Sequence, residues 1–347
     1  MPARILDASS DRCRAVRGQL VGLRWRSDLF ERILVPLDGS QLAECVLPHA
    51  VAMARAFQSR LLLLQAVDSP QADADPVRTV DPLHWQIYKT EARAYLAAIA
   101  GRLQEAGLVA EEHVLEGQSA ESIVRFARDR DVDLVLLSSH GLSGLSRWNV
   151  SSVAQKVIFQ VSKPVMIVRA YHVATDGVTG LTYERILVPV DGSLRAEYVL
   201  PFAAHLARSY DARLMLAHVI KRPRVFKPSS LLEEEARMVE RIKAHNKIEA
   251  DRYLKDLIVR LGYTAEPWLL DDEDTASALR DLIDKEDVDL IILNAHGYTR
   301  GIYWPYSSLA LSFIAYGTRP LLIMQDLLPE EVERTQAEIA ARESRGH

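Results

Sequence analysis

The chain has 347 residues, of which 48% are apolar and 26% charged, the balance of a globular protein with real cores, and the length predicts two domains. A formal charge of −5 argues against a nucleic-acid binder driven by a global basic field. Two cysteines, Cys13 and Cys45, are too few for a disulfide framework, so the expected setting is the reducing cytoplasm.

Residues 1–29 are Arg-rich and lack both a strong period and the apolar core of a secretory signal. They read as a loosely ordered arm or the product of an upstream start. Short runs of Val, Leu and Ile then alternate with longer amphipathic stretches. The runs Arg32–Leu37, Arg60–Val67, Val109–Leu115, Asp133–Ser138 and Pro164–Arg169 read as buried parallel strands. Between them Gln41–Gln58, Leu83–Glu105, Ser119–Asp129 and Ser151–Val161 read as helices. Ala170–Thr182 holds Asp176, Gly177, Thr179 and Gly180 and reads as a linker. Strands follow at Arg185–Val190, Arg213–Val219, Thr264–Leu270, Asp289–Asn294 and Pro320–Gln325. Their helices are Leu194–Tyr210, Leu232–Leu261, with Glu233, Glu234 and Glu235 suiting the helix dipole, then Thr275–Lys285 and Ser307–Tyr316. Pro329–Arg345 is a charged pattern of a solvated terminal helix. The uncharged run Gly301–Thr318 nears membrane-span length, but it contains Pro305 and three serines and falls on a loop and a helix. No membrane partner is expected.

The chain is written twice. Glu31–Ser40 recurs as Glu184–Ser193 with nine of ten residues identical, at an offset of 153. Asp131–Gly141 recurs as Asp287–Gly297 at an offset of 156, so the second copy holds three more residues in between. This is a domain-length duplication rather than a solenoid of short repeats. The expected organisation is an arm at 1–29, one domain at 30–169, a linker at 170–183, a second domain at 184–326 and a tail at 327–347. Strand–helix alternation with five strands per copy predicts an α/β fold, two open parallel sheets with helices on both faces.

In such sheets ligands bind beyond the carboxyl ends of the strands, where strand order reverses. There the first strands end in Pro36, Asp38 and Ser40, or Pro189, Asp191 and Ser193. Asp38 and Asp191 can accept hydrogen bonds from ribose hydroxyls or an adenine amino group; the other reading is an Asp or Ser that caps the next helix. The fourth strands end in Ser138, Ser139, His140 and Gly141, or Asn294, Ala295, His296 and Gly297. A loop then leads to helix starts at Ser151–Ser152 and Ser307–Ser308. A small-residue turn feeding a helix N-terminus gathers free N–H groups suited to phosphate.

This order of motifs resembles the universal stress protein family in tandem form, over about residues 31–169 and 184–325. The resemblance implies Rossmann-like domains of the adenine nucleotide alpha hydrolase type, and a stress-response regulator that binds ATP or another adenine nucleotide. ATP-binding members carry Gly, two residues, Gly, nine residues, then Gly followed by Ser or Thr. Here the first Gly is Ser138 or Asn294 and the last is Ser151 or Ser307; Gly141, Gly297, Ser152 and Ser308 are kept. The implied first pocket is Pro36, Asp38, Val67, Ser138, His140, Gly141, Arg147, Ser151, Ser152 and Val153. Its twin is Pro189, Asp191, Val219, Asn294, His296, Gly297, Ser307, Ser308 and Leu309. Ser in place of Gly adds a Cβ, and as an N-cap its hydroxyl takes an N–H that a phosphate needs; the same hydroxyl can also donate to phosphate. Arg147 reads as a phosphate cation or a solvated loop residue. The twin has Tyr303 there, with Arg300 nearby and Trp304–Pro305 at the entrance.

The ten histidines show no metal-ligand spacing, so no metal site is expected beyond Mg accompanying ATP; His140 and His296 read as shaping their turns. No Walker A sequence, nucleophile elbow or dinucleotide fingerprint occurs. Asp131 with Asp133, and Asp287 with Asp289, precede the fourth strands, the wrong end for catalysis, and read as turn and solvent-facing residues. Three functions remain open: a nucleotide-sensing regulator, a nucleotide-free interaction module of the same fold, and a slow ATP hydrolase. The protein partner is unknown. Family members pair through the fifth strand, so Pro164–Val168 and Pro320–Met324 are expected to join the copies as an internal pseudo-dimer, with a homodimer of chains also open.

Overall fold

A computed structural model describes residues 30–67, 82–141, 150–170, 181–221, 233–297 and 305–325. The expected N-terminal arm, most of the linker and the C-terminal tail lie outside the described residues. The first copy runs β1 (Arg32–Pro36), α1 (Leu47–Phe57), β2 (Arg60–Val67), α2 (Pro82–Glu105), β3 (Ala110–Glu116), α3 (Ser119–Asp129), β4 (Leu134–Ser138), α4 (Ser152–Gln160) and β5 (Val165–Val168). The second runs β6 (Arg185–Pro189), α5 (Leu194–Glu197), α6 (Leu200–Tyr210), β7 (Arg213–Lys221), α7 (Glu233–Leu261), β8 (Ala265–Asp272), α8 (Thr275–Lys285), β9 (Leu290–Asn294), α9 (Ser308–Tyr316) and β10 (Leu321–Met324).

All ten strands form one sheet, in the order β3-β2-β1-β4-β5-β10-β9-β6-β7-β8. Pairing within each copy is parallel. The copies meet where β5 and β10 pair antiparallel, Met166 opposite Leu322. The expected fifth-strand junction is therefore present. It also turns the copies head to tail, so the carboxyl ends of β1 and β4 face one way and those of β6 and β9 the other. Strand order reverses between β1 and β4, and again between β6 and β9.

Alternation along the strands feeds two cores, one on each face. Ile33, Val35, Leu61 and Leu63 pack with Phe57, Leu96, Phe202 and Leu254 of α1, α2, α6 and α7. Leu34, Leu62, Leu64 and Val135 pack with Ile123, Ile158, Leu282 and Phe313 of α3, α4, α8 and α9. Each such side chain contributes about 1.5–3 kcal/mol when fully buried. Both cores run across the junction. Phe57 and Phe202 stack at 4.7 Å, and Tyr210 donates its hydroxyl to the Ala52 carbonyl at 2.6 Å. Arg169 donates to the carbonyls of Phe313 and Ile314 in the last turn of α9, at 2.7 and 2.8 Å. A cation suits that negative helix end. Reciprocally, the Tyr306 hydroxyl reaches the Ile158 carbonyl in the last turn of α4 at 2.7 Å.

Two expected helices are corrected. Gln41–Gln58 divides into a short 3₁₀ turn at Ala43–Val46 and α1, and Leu194–Tyr210 divides into α5 and α6. Pro48 and Pro201 explain both breaks: a proline fits the first turn of a helix but has no N–H to continue one from before it. The other expected bounds differ by at most two residues at an end, the largest being β7 and β8, whose ladder continues to Lys221 opposite Asp272. The carboxylate pairs also need correction. Asp131 and Asp287 are exposed turn residues with positive φ. Asp133 and Asp289 instead are half-buried and accept backbone N–H groups at the starts of β1 and β6, from Arg32 at 2.8 Å and Arg185 at 2.7 Å. α9 spans nine residues, and among the described residues no helix is long and apolar enough to cross a membrane.

Candidate functional site

At the end of β1 the chain turns through Asp38, Gly39 and Ser40. Gly39 has φ +84°, a conformation glycine adopts without strain. The Asp38 Oδ1 accepts from the Ser40 N–H at 3.0 Å and the Ser40 hydroxyl at 2.6 Å. Ser40 Oγ in turn accepts the Ala43 N–H at 3.1 Å. The second copy repeats this with Asp191, Ser193 and Ala196 at 3.0, 2.6 and 3.1 Å. So the serine caps the following turn, and the aspartate braces the serine.

The other oxygen of each aspartate meets the turn after the fourth strand. A Cβ on Gly141 would lie 2.9 Å from Asp38 Cγ and overlap its Oδ2; a Cβ on Gly297 would overlap Asp191 Oδ2. A carboxylate thus approaches each glycine closely, more tightly at Gly141 than at Gly297. Ser138, where the family pattern has its first Gly, places Oγ 2.6 Å from the His140 carbonyl and 3.1 Å from the Leu42 carbonyl. Asn294 donates its Nδ2 to the His296 carbonyl at 3.1 Å. Both departures from Gly therefore hold the turn closed. His140 is buried, with Nδ1 3.0 Å from the Ser139 hydroxyl. Burial and the nearby Arg169 charge lower its pKa, which keeps the ring neutral.

Ser151 and Ser307 are N-caps. Their hydroxyls accept the Ala154 and Ala310 N–H groups at 3.3 and 3.2 Å, while their own N–H groups bond the Ser139 and Ala295 carbonyls at 2.8 and 2.7 Å. The caps leave the first-turn N–H groups of Ser152 and Val153, and of Ser308 and Leu309, for another acceptor.

In the second copy all nine expected residues line one cavity of about 570 Å³: Pro189, Asp191, Val219, Asn294, His296, Gly297, Ser307, Ser308 and Leu309. In the first copy Pro36, Asp38, Val67, Ser138, His140, Gly141, Ser151, Ser152 and Val153 occupy the matching ends of β1, β2, β4 and α4. Asp38 and Gly141 are in contact there. Arg147, Arg300, Tyr303 and Trp304 lie outside the described residues. Another hollow, of about 840 Å³, runs along edge strand β3 with Arg93 and Arg125 on its rim, away from the strand ends where the aspartates converge.

The cavity also contains residues that the motif reading missed. His218, Glu273, Asp274 and Thr275 line it, Glu273 and Asp274 between β8 and α8 and Thr275 opening α8. Their signal was the acidic run Asp271–Asp274 at a strand's carboxyl end, whose register partners in the first copy include Gly117 and Gln118. Beneath the cavity, buried Glu197 binds Arg260 at 3.0 Å and Tyr253 at 3.1 Å, tying α5 to α7. Among the described residues no group of three or more His, Cys, Asp or Glu is placed to hold a metal ion.

The Universal stress protein family model matches residues 29–169 and again 182–324. A universal stress protein of Methanocaldococcus jannaschii is 29% identical over 147 residues, 42% of this chain and 86% of its own length. The universal stress protein Sll1388 of Synechocystis is 33% identical over 151 residues, 40% of this chain and 98% of its own. The crystal structure of a universal stress protein from Archaeoglobus fulgidus shares the fold, with a TM-score of 0.62 at 17% identity, over 85% of this chain and 98% of that one.

Proposed function

Because the chain belongs to the universal stress protein family, we propose that its two switch-point crevices hold adenine compounds, at least one of them ATP or another adenine nucleotide, and that occupancy tunes a stress-response regulator. The observation that carries this reading is the cavity at β6 and β9, around which nine residues expected from sequence converge. Asp191 offers a carboxylate to a ribose hydroxyl or an adenine amino group. The N–H groups of Ser308 and Leu309 begin α9 and can donate to a ligand acceptor. The first crevice repeats these parts with Asp38, Ser152 and Val153.

The test is direct. Protein purified without added nucleotide is denatured, and the supernatant is resolved by anion-exchange chromatography; emptied protein is then titrated calorimetrically with ATP, ADP and adenosine. Bound adenine compound, or saturable binding, is expected. Absence of bound adenine compound together with absence of saturable binding refutes the reading.

A second reading has its own observation. The caps at Ser151 and Ser307 each consume a first-turn N–H that a glycine would release. This favours a nucleotide-free interaction module. The Ser138→Gly/Ser151→Gly variant separates the two: ATP binding gained only in the variant supports the module.

A further inference from the structure

The two crevices are not chemically equal. Among the described residues the second cavity is lined by three carboxylates, Asp191, Glu273 and Asp274, and by no Lys or Arg. At the same register the first copy has Gly117 and Gln118 in place of Glu273 and Asp274. Three carboxylates around a cavity repel a polyphosphate and attract hydrogen-bond donors.

An independent observation points the same way. Asn294 lines the cavity, is only 6% exposed, and its Oδ1 has no hydrogen-bond partner. A buried acceptor left unpaired is costly, and a ligand N–H or O–H removes that cost. Its Nδ2 is committed to the His296 carbonyl, which fixes which end of the amide faces outward. His218 adds to the pattern. Its Nδ1 sits 2.9 Å from the Val190 carbonyl, which can only accept, so Nδ1 carries a proton and the ring's orientation at the cavity is fixed. The Thr275 hydroxyl, also on the lining, is likewise buried without a partner. The carboxylates and Asn294 therefore present acceptor side chains to a ligand that must supply donors.

We propose that the second crevice selects an adenine nucleoside with no free phosphate, its 5′ substituent uncharged or cationic, and discriminates against ATP. This rests on the adenine-site reading above. The hydroxyl-rich ribose satisfies Asp191 and Asn294, and the acidic lip Glu273–Asp274 excludes a phosphate chain. The duplication then yields two specificities from one scaffold.

Photolabelling of the full chain tests this. 8-Azidoadenosine and 8-azido-ATP are crosslinked in magnesium-free buffer, with adenosine or ATP as competitor, and labelled peptides are mapped by mass spectrometry. The expected result is azidoadenosine labelling within 189–219 or 268–309, displaced by adenosine at a concentration at least about tenfold below that of ATP. The Glu273→Gln/Asp274→Asn variant keeps a helix cap at 274 and is expected to shrink that ratio to about threefold or less. Second-copy labelling that ATP displaces as well as adenosine overturns the proposal and leaves the adenine reading standing. Labelling confined to the first copy does the same. No labelling of either copy by either probe overturns both.

Discussion

Gly141 and Gly297 occupy the same turn in the two copies, yet alanine is expected to cost unequal amounts there. In Gly141→Ala the new Cβ lies 2.9 Å from Asp38 Cγ, where carbon atoms prefer about 3.5–4.0 Å. Asp38 must retreat by roughly 0.6–1 Å to reach that spacing. It is half-buried, and its Oδ1 holds Ser40 through bonds of 3.0 and 2.6 Å. Hydrogen bonds to a charged group contribute about 1.5–3 kcal/mol each, so losing one and straining the other costs about 2–3 kcal/mol. In Gly297→Ala the Cβ stands 3.4 Å from Asp191 Cγ, near ordinary contact, and the exposed carboxylate can rotate its Oδ2 away. That costs under about 1 kcal/mol, within the usual range of a surface change. At ~2.1 cal/mol/K per residue over roughly 300 residues unfolding together, Tm falls by about 4 °C in the first variant and about 1 °C in the second. Scanning calorimetry and urea titration measure both. Equal losses, or a larger loss in Gly297→Ala, would show that the approach of aspartate to glycine does not govern these turns.

Three further outcomes are expected. Ser151→Gly costs a few tenths of a kcal/mol in helix capping yet frees the Ala154 N–H, so calorimetry should find ATP binding strengthened several-fold; weakened binding would mean the hydroxyl itself holds the ligand. Burial lowers the pKa of His49 from 6.5 to about 4, so the unfolded chain binds the extra proton first as pH falls. Its stabilisation is complete above about pH 6.5 and declines toward pH 4, by up to about 3 kcal/mol. Urea midpoints at pH 7 and pH 5 report this, and a His49→Gln variant should lose that part of the slope. Arg169→Met removes both charge-assisted bonds to the last turn of α9 and is expected to destabilise the chain by about 2–4 kcal/mol, although the Phe313 carbonyl keeps the Gly317 N–H. An unchanged urea midpoint would show that water replaces the guanidinium.

What the repeat shares was legible, and what distinguishes the copies was not. Asp38 with Gly141, and Asp191 with Gly297, stand in matched strings, so a search for self-similarity finds them and the parallel-sheet rule places them. Glu273 and Asp274 have no acidic counterpart at 117 and 118, so the same search passes over the side chains that set the second crevice apart. Pro48 and Pro201 were visible as residues, but the apolar period running through them masked the breaks they impose. The bonds from Arg169 to α9 join residues 144 and 145 apart, and no local pattern encodes a partner at that distance.

The antiparallel junction has a consequence for how two crevices serve one protein. Because β5 and β10 run in opposite directions, the crevices open at opposite ends of the sheet, and one small ligand does not span both. The helices nonetheless cross between them. α9 starts at Ser308 on the second cavity, and its last-turn carbonyls at Phe313 and Ile314 are held by Arg169. Arg169 follows β5 and acts electrostatically on His140 in the first crevice. In the other direction, α4 starts in the first crevice at Ser152, and its last turn is held by Tyr306, which lines up just before the Ser307 cap of the second. Each helix that opens at a crevice is therefore anchored at its far end by a side chain from beside the opposite crevice. Pairing the fifth strands protects two sheet edges and produces this reciprocal anchoring at once, which two free domains on a linker would lack.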